Sequence, residues 1–369
     1  MKLTIFGLSI TSSWGNGHAT TFRALCQALS RRGHDIVFFE RNQEWYRSNC
    51  DLPEPPYCDV RVFESWDEIL PAVRAELRDS DVAMVGSYFP DGIAALDEVA
   101  ASNVSVKAFY DIDTPITMSR LRQPDAGSDY LRKRHLAALD IYFSFTGGAM
   151  LQELEERLGV AFAVPLYCSV DPDRHRELPP SAEFKCDLSY MGTFAPDRQA
   201  KLDELLCRTA RCFPKSRFIV AGPQYPSSLE WPANVERILH LSPRHHAPFY
   251  CSSRLTLNVT RREMVMAGYS PSVRLFEAAA CAATIVSDNW PGLETFLVPG
   301  REVLLPGDSE DVARYLREYD ECELRRIGRA ARERVLAAHT SEIRAREFER
   351  AVETAWLKKG ESKVLAAER

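Results

Sequence analysis

Two side chains in the first half of the chain combine types and positions that suit proton transfer. His18 follows Gly15-Asn16-Gly17 at the start of a predicted helix. A helix N-terminus disfavours protonation, so a neutral imidazole there could accept a proton from a hydroxyl group. Asp113 follows a buried-strand pattern and precedes Thr114-Pro115, so its carboxylate could bind or deprotonate a ligand hydroxyl. Structural interpretations stay open for both, with His18 as a capping or packing residue and Asp113 as a helix N-cap.

The loop Gly15-Asn16-Gly17 also partly matches a dinucleotide-binding fingerprint. Gly15 and Gly17 fill the first two glycine positions of G-x-G-x-x-G, and the third is Thr20. Glu40 lies about where an acid would bind ribose. Because such partial matches are common by chance, an NAD-dependent oxidoreductase is a minor alternative that requires nicotinamide binding at these glycines.

The second half of the chain carries groups that suit a phosphate and a ribose. Gly192-Thr193 follows a predicted strand and Arg198 begins the next predicted helix, so backbone and guanidinium groups could bind one anion. Arg274 and Glu277 lie three residues apart on one helix face, either as an exposed ion pair or as ligands of a diphosphate and of ribose hydroxyls. His245-His246 have no third ligand in view, so we expect no metal site.

Strand and helix patterns alternate in both halves, which predicts parallel sheets built from βαβ units. In the first half the predicted segments are 3–10, 20–32, 35–40, 66–78, 82–85, 104–110, 149–158 and 161–164. In the second half they are 188–191, 198–212, 217–220, 235–239, 247–252, 255–259, 272–281, 283–286, 308–339 and 342–357. We therefore predict an α/β protein with two doubly wound, Rossmann-like domains facing a central cleft. The predicted domains are 1–165 and 173–340, with a Pro-containing linker at 166–172 and a C-terminal helix at 341–369 that could pack back on the first domain.

Length, composition and charge fit this organisation and exclude several classes of protein. The 369 residues suit two domains, and 45% hydrophobic with 27% charged residues exclude low-complexity and disordered chains. A net charge of −6 argues against a uniformly basic surface, so we expect no nucleic-acid partner. No apolar run reaches the ~18 residues that span a bilayer, although a peripheral membrane contact stays open.

The cysteines predict a reduced, cytoplasmic protein. Ten cysteines occur without a C-x-x-C motif, which is typical of buried thiols in a reducing compartment. Cys50 and Cys58 could pair across a Pro-rich loop, but such disulfides are rare in the cytosol.

Four segments of the second half resemble the donor domain of a known enzyme family when they are taken in order. They are Gly222-Pro223, Leu257-Asn258-Val259-Thr260-Arg261, Ser272-x-Arg274-x-Phe276-Glu277 and Ile285-Val286-Ser287-Asp288. This pattern resembles GT-B-fold glycosyltransferases of the group 1 type, especially those that are similar to spore-maturation-protein glycosyltransferases. The resemblance is strong over 186–307 and looser over 1–165.

The resemblance implies a role for each matching residue. Glu277 would bind the donor ribose, and Arg198, Arg274 and Arg261 would face the diphosphate. His240-Leu241 would line the base, and Asp288 would close the sugar end of the pocket. Two positions depart from the family pattern: Tyr269 stands where many retaining members have a second Glu, which leaves the stereochemical outcome open, and Ala282 replaces the usual Gly.

We therefore predict a glycosyltransferase, of the hexosyltransferase type, that uses a nucleoside-diphosphate sugar, with UDP favoured, and an acceptor hydroxyl bound by the first domain. The acceptor could be a glycan, a lipid, a protein or a small molecule, and polysaccharide biosynthesis is one setting.

We expect no bound cofactor and no metal, because arginines and a helix N-terminus can neutralise the diphosphate. Asp111-Ile112-Asp113 has the spelling of a metal-binding D-x-D, but it lies in the acceptor half, and we expect Asp111 to be structural. The same fold could also serve a catalytically silent nucleotide-sugar-binding protein or a nucleotide-sugar epimerase, and the oligomeric state stays open.

Overall fold

The chain divides into two compact units. The computed structural model describes residues 1–15, 17–123 and 128–367, with side chains described as far as residue 360. Unit 1 comprises Met1–Tyr167 and Ser341–Arg369, and unit 2 comprises Cys168–Thr340. Asn16, one of the three residues predicted in the glycine-rich loop, lies outside the described residues.

Unit 1 is built on a parallel sheet of seven strands in the order β3-β2-β1-β4-β5-β6-β7. The strands are β1 (Lys2–Phe6), β2 (Asp35–Arg41), β3 (Asp59–Phe63), β4 (Val82–Gly86), β5 (Val106–Asp111), β6 (Ile141–Ser144) and β7 (Ala163–Pro165). The connecting helices are α1 (Gly17–Arg31), α2 (Glu44–Arg47), α3 (Trp66–Asp79), α4 (Gly92–Ala101), α5 (Thr114–Leu121), α6 (Lys133–Leu136) and α7 (Ala149–Glu156). Central strands such as β4 are buried throughout, as expected when helices cover both faces of a parallel sheet.

Unit 2 repeats this arrangement with five parallel strands in the order β10-β9-β8-β11-β12. They are β8 (Cys186–Met191), β9 (Phe218–Ala221), β10 (Val235–Ile238), β11 (Ser253–Asn258) and β12 (Ile285–Ser287). The helices are α8 (Pro196–Leu202), α9 (Thr209–Cys212), α10 (His246–Ser252), α11 (Arg262–Ala267), α12 (Val273–Ala280), α13 (Ser309–Glu318) and α14 (Glu321–Ala338), and a π-helical stretch, Asp203–Arg208, joins α8 to α9. The last helix of the chain, α15 (Ser341–Ala367), belongs to unit 1. The predicted α/β class with two Rossmann-like sheets is confirmed.

The strand order reverses between β1 and β4 in unit 1, and between β8 and β11 in unit 2. In open α/β sheets ligands bind beside the carboxyl ends of the strands at such a reversal. The loops that follow these four strands are therefore where functional side chains are expected.

Several predicted elements have different bounds in the structure. The predicted strand at 3–10 ends at Phe6, because the backbone N–H groups of Ile10 and Thr11 donate to the Glu40 carboxylate instead of a neighbouring strand. The predicted helix at 20–32 begins at Gly17, which places His18 in its first turn. The edge strand β3 was not predicted, since its five residues are short and mostly half-buried or exposed.

All ten cysteines are free thiols, but not all of them are buried as expected. Cys50, Cys212 and Cys322 are exposed, and Cys58 and Cys251 are partly exposed. Among the described residues, no helix combines the length and the apolar content needed to cross a membrane.

Candidate functional site

The loop after β8 and the start of α12 together position an arginine in unit 2. The Arg274 Nε donates to the carbonyl oxygen of Met191, and Nη1 donates to Asn258 Oδ1 at 2.9 Å. The guanidinium lies 4.9 Å from the centroid of the Tyr190 ring. A Cβ on Gly192 would lie 2.7 Å from both Arg274 Nη2 and Tyr190 Oη, so a side chain at this position would displace these two groups. Arg274 is therefore held beside the partly buried backbone at the end of a central strand, an arrangement that suits a phosphate.

Two further arginines in unit 2 have a buried N–H group that finds no hydrogen-bond acceptor among the described residues. Arg198 Nη2 donates to the Thr193 carbonyl oxygen at 2.5 Å, while its Nε is buried without a hydrogen-bond partner among the described residues. Arg261 Nε lies 3.9 Å from Asp197 Oδ2, beyond hydrogen-bonding distance, and is likewise unsatisfied within the described chain. Because an unsatisfied buried donor costs about 1–3 kcal/mol, both atoms favour an anionic ligand.

Glu277 lies on α12, one turn after Arg274, in a buried polar cluster. The two side chains are 3% and 9% exposed, so they do not form the exposed ion pair that was one alternative. Tyr250 Oη donates to Glu277 Oε2 at 3.4 Å, His175 Nε2 lies 3.6 Å from Oε1, and His246 Nδ1 lies 4.0 Å from Oε2. Burial raises the pKa of Glu277 to about 7, although the charge of Arg274 and the Tyr250 hydrogen bond act in the opposite direction.

His175 and His246 are members of this cluster that the sequence did not reveal. The sequence offers no third ligand beside His245-His246, yet the ligand atoms of His175, His246 and Glu277 lie within 4.8 Å of one another and could hold a cation. Burial lowers the pKa of His175 to about 3, so its ring is neutral. His175 follows the predicted linker, far from His246 in the chain, and no spacing pattern could have paired them.

The remaining predicted residues of unit 2 lie in different surroundings. Asp288 is buried and accepts hydrogen bonds from Thr260 N at 3.1 Å and Thr260 Oγ1 at 2.9 Å, so its carboxylate holds the loop after β11. Burial raises the pKa of Asp288 above its usual value. His240 is exposed, whereas Leu241 is buried and its carbonyl oxygen contacts His246 Nε2 at 3.3 Å.

Unit 1 brings together the two predicted candidates for proton transfer. His18 Nε2 lies 3.6 Å from Asp113 Oδ2, and the His18 ring packs edge-on against Tyr88, with centroids 5.5 Å apart. Tyr88 has a φ of 62°, a strained value for a non-glycine residue. Asp113 occupies the N-cap position of α5, but its side chain makes no capping hydrogen bond. Its carboxylate therefore faces His18 rather than the helix.

Asp111, two residues earlier, is completely enclosed. Its Oδ2 accepts from Tyr142 Oη at 2.5 Å, and its Oδ1 accepts from Thr117 Oγ1 at 3.0 Å and from the backbone N–H of Asp113 at 3.2 Å. Burial raises the pKa of Asp111 to about 7, although the hydrogen bonds from Tyr142 and Thr117 act against this rise. These contacts give Asp111 a structural role.

Glu40 does not serve as a free ribose acid near Gly15 and Gly17. Its carboxylate is buried and accepts from Ile10 N at 2.6 Å, Thr11 N at 3.0 Å, Ser9 Oγ at 3.0 Å and Thr11 Oγ1 at 2.6 Å. Because both oxygens are already used to hold the loop after β1, the oxidoreductase alternative loses the acid on which its fingerprint depended.

Comparison with known proteins agrees with this architecture. Residues 198–350 match the family model described as glycosyl transferase-like. The structure of a sucrose-phosphate synthase from Thermosynechococcus elongatus is similar to this chain, with a TM-score of 0.70 and 14% sequence identity. The match covers 97% of this chain and 100% of the synthase chain. HepE from Anabaena, in complex with UDP and glucose, matches 96% of this chain and 100% of its own, with a TM-score of 0.66 and 13% identity. An alpha-glucosyltransferase in complex with UDP-glucose and DNA containing an abasic site matches 95% of this chain and 98% of its own, with a TM-score of 0.68 and 11% identity.

The chain has the GT-B fold. A search among curated proteins finds no match. The resemblance to GT-B glycosyltransferases that the second-half motifs indicated is confirmed, and the matched segment of this GT-B protein contains Arg198, Arg261, Arg274 and Glu277. The family match and the fold together support an enzyme of the glycosyltransferase class.

Proposed function

We propose that this GT-B protein transfers a hexose from a nucleoside-diphosphate sugar, preferably a UDP-sugar, to an acceptor hydroxyl without a bound metal or cofactor. The observation that carries the proposal is Arg274, fixed by Met191 and Asn258 against Gly192, with Glu277 one helical turn away. A guanidinium suits a diphosphate and a carboxylate suits ribose hydroxyls, so the position of Arg274 and Glu277 on one helix supports the proposal. HepE, which binds UDP and glucose, supports the choice of UDP.

The side chains of unit 2 have a defined part in the proposed reaction. Arg274, Arg198 and Arg261 neutralise the diphosphate as its bond to the anomeric carbon breaks and it leaves with the electron pair. Such preorganised guanidinium groups make a metal unnecessary for this step.

The side chains of unit 1 act on the acceptor in this proposal. In an inverting transfer, the acceptor hydroxyl gives its proton to His18 as its oxygen bonds to the anomeric carbon. Asp113, 3.6 Å from His18 Nε2, orients the ring and stabilises the imidazolium that forms. In a retaining transfer, the departing phosphate can take the proton instead.

We also propose a reducing, cytoplasmic compartment and no nucleic-acid acceptor. Ten free cysteines, three of them exposed, suit a reducing environment. The net charge of −6 gives no general attraction to a polyanion.

Titration of the wild-type protein with UDP, GDP and ADP by calorimetry tests the donor site. We expect Glu277→Ala to weaken binding of the preferred nucleotide by about 1–3 kcal/mol, because ribose hydroxyls lose a buried acceptor. Glu333→Ala, at an exposed position of α14, is the matched control and should bind normally. Unchanged affinity in folded Glu277→Ala would exclude the ribose role.

Product analysis with the matching nucleotide sugar then separates the three activities that this fold allows. Transfer to a hydroxyl acceptor supports the proposal. Donor binding without turnover or hydrolysis supports a silent binding protein, and conversion of the free donor sugar without any acceptor supports an epimerase.

A further inference from the structure

A cavity of about 330 Å³ lies in unit 1, where the loop before β5 meets the C-terminal half of α15. Residues 102–105 and Lys107 line it from the side of β5, and Trp356, Lys359 and Gly360 line it from α15. This volume is at the lower end of the range for ligand sites in proteins, so the cavity suits one small molecule such as a single sugar.

The cavity lies at the opposite edge of the sheet from the residues proposed for proton transfer. Residues 102–105 precede β5, whereas Asp113 follows its carboxyl end. The strand has six residues. Because a strand rises about 3.3 Å per residue, about 20 Å separates the cavity from Asp113. A ligand of the cavity is therefore distinct from the hydroxyl group that is proposed to react near Asp113.

The indole of Trp356 gives the cavity an aromatic face. This residue is 63% exposed, whereas Val352 and Ala355 on the same helix are buried. The electron-rich face of an indole attracts the C–H groups of a sugar ring. Asn103 and Ser105 are also exposed and add an amide and a hydroxyl group to the lining, which can hydrogen-bond sugar hydroxyls. An aromatic face beside such polar groups suits a saccharide.

Two lysines give the cavity a positive charge. Lys359 Nζ donates to Asp140 Oδ2 at 2.9 Å. Lys107 Nζ donates to the carbonyl oxygen of Ala100 at 2.6 Å. Burial, and after it the charge of Lys359, lowers the pKa of Lys107, while Asp140 acts in the opposite direction.

The charges around the cavity are therefore unbalanced. The ammonium groups of Lys107 and Lys359 repel each other, and the single carboxylate of Asp140 offsets one of the two positive charges. A bound anion would remove this repulsion. Each ammonium group carries three hydrogens, so both lysines can donate to an anion and keep their contacts within the protein.

We propose that this cavity is a second ligand site, which binds an anionic sugar with its ring on Trp356 and its acidic group on Lys107 and Lys359. The inference goes beyond the proposed function, since it does not use the donor site of unit 2. An ammonium group binds a carboxylate or a phosphate as a point charge. The shared chemistry is a sugar ring with one acidic group, and a uronic acid and a sugar phosphate are its two sources.

NMR titrations of the full chain test the site. The indole N–H signal of Trp356, identified by its loss in Trp356→Phe, reports binding at the cavity. The probes are glucuronate, glucose 6-phosphate, glucose and inorganic phosphate. We expect a saturable shift with at least one acidic sugar, at an affinity about tenfold above those of glucose and inorganic phosphate, because glucose lacks the charged contact and phosphate lacks the ring. The acidic sugar that binds identifies the carboxylate or the phosphate as the source.

Substitutions separate the roles of charge and ring. Lys107→Gln should weaken binding of the acidic sugar about tenfold and leave binding of glucose unchanged, a difference that a general loss of structure would not produce. Trp356→Ala should weaken binding of both sugars, measured by saturation transfer to the ligand signals. Lys215→Gln, at an exposed position of unit 2, and Leu357→Ala, at a 60% exposed position of α15, are the matched controls and should bind as the wild type does.

The inference fails if neither acidic sugar shifts the Trp356 signal. It also fails if inorganic phosphate binds as tightly as the acidic sugars, which would mean an adventitious ion only, or if folded Lys107→Gln loses affinity for glucose and the acidic sugar equally. If vesicles of anionic phospholipid shift the signal and no sugar does, the surface is a membrane contact instead. A protein that binds an acidic sugar here but none of UDP, GDP and ADP would keep this site and lose the proposed function.

Discussion

Two aspartates at the end of β5 have opposite surroundings although they are two residues apart. The Asp111 carboxylate is enclosed and accepts three hydrogen bonds from described groups, whereas Asp113 is partly exposed and lies beside His18. Both have the same sequence signal, a carboxylate after a buried strand. The difference arises because Asp111 ends the strand and points into the unit, where Tyr142 of the adjacent strand β6 reaches it.

Asp111 should make the stability of unit 1 depend on pH. Its pKa is raised by burial to about 7, above the ordinary value of 3.8, so the folded state keeps a proton that the unfolded state loses between about pH 4 and pH 7. Stability therefore falls as pH rises through this window and is flat above it. The wild-type free energy of unfolding should therefore be lower at pH 8 than at pH 4.5. For Asp111→Asn we expect this decrease to be smaller by about 2–4 kcal/mol, measured by urea denaturation at the two pH values.

This test compares how much the free energy of unfolding changes with pH in the variant and in the wild type, and it does not depend on the absolute stability of the variant. Asp129→Asn, at a 99% exposed side chain, is the control and should keep the wild-type pH dependence. An Asp111→Asn variant that declines as steeply as the wild type would show that Asp111 ionises normally.

His18 and Asp113 should affect the chemical step and not donor binding, because the residues proposed to bind the donor belong to unit 2. We expect His18→Ala to lower the turnover number by about 10²–10⁴ with unchanged affinity for UDP, as for loss of a general base. Asp113→Asn should bind UDP normally and turn over faster than His18→Ala. Steady-state rates and calorimetry on the same preparations measure both quantities.

His34, which lies beyond the C-terminal end of α1, provides a control for this pair. His34 pairs with Glu349 at 2.8 Å, so His34→Ala should leave the turnover number of the folded protein unchanged. If His18→Ala is fully active and Asp113→Asn is inactive, Asp113 is the base. Retention of the anomeric configuration in the product would also count against His18.

At the scale of the elements, the sequence predicts what depends on local pattern and misses what depends on distant side chains. The alternation of strands and helices is a local pattern, and it predicted both sheets except for the strands β3 and β6. The early end of β1 was missed because it depends on the Glu40 side chain, which captures the N–H groups of Ile10 and Thr11. The Arg274–Glu277 spacing was visible on one helix, whereas His175 joins Glu277 only through the fold.

Ala282 shows how a departure from a family pattern acts on an element. It follows Cys281 after α12 and has a φ of 57°, a value that glycine adopts without strain. The Ala282 carbonyl also faces Gly328 of α14, where a Cβ would lie 2.1 Å from that oxygen. The two helices therefore pack so closely that residue 328 can carry no side chain.

Gly328→Ala should destabilise unit 2 by about 1–3 kcal/mol, because the added methyl group pushes α14 away from the backbone of residue 282. Gly360→Ala is the matched control in an exposed part of α15, where nothing lies within 4 Å of the added Cβ. That variant should gain about 0.5–1 kcal/mol from helix propensity. Urea denaturation of both variants measures the two opposite changes, and a neutral or stabilising Gly328→Ala would contradict the packing argument.

At the scale of the whole molecule, the chain returns to its first unit after completing the second. Helix α15 packs against α1, where the Arg32 guanidinium donates to Glu349 at 2.8 and 2.7 Å and to Glu342 at 2.7 Å. Phe348 stacks on Phe143 of β6 with centroids 5.2 Å apart. Unit 1 is therefore built from two segments that lie far apart in the sequence, and its stability depends on residues that follow unit 2.

This dependence predicts that a cavity in the core under α15 lowers the stability of unit 1 and leaves the proposed donor site of unit 2 unchanged. Phe348 is fully buried, so Phe348→Ala should lower the free energy of unfolding of unit 1 by about 3–5 kcal/mol. Leu357→Ala, at a 60% exposed position of the same helix, should change it by less than about 0.5 kcal/mol.

UDP raises the unfolding midpoint of the unit that binds it, so thermal unfolding with and without UDP distinguishes the two units. In Phe348→Ala we expect the UDP-insensitive transition to move down while the UDP-sensitive transition and the UDP affinity stay at their wild-type values. A fall in both transitions together would mean instead that the two units unfold as one cooperative body, because only then does a cavity in unit 1 lower the stability of unit 2.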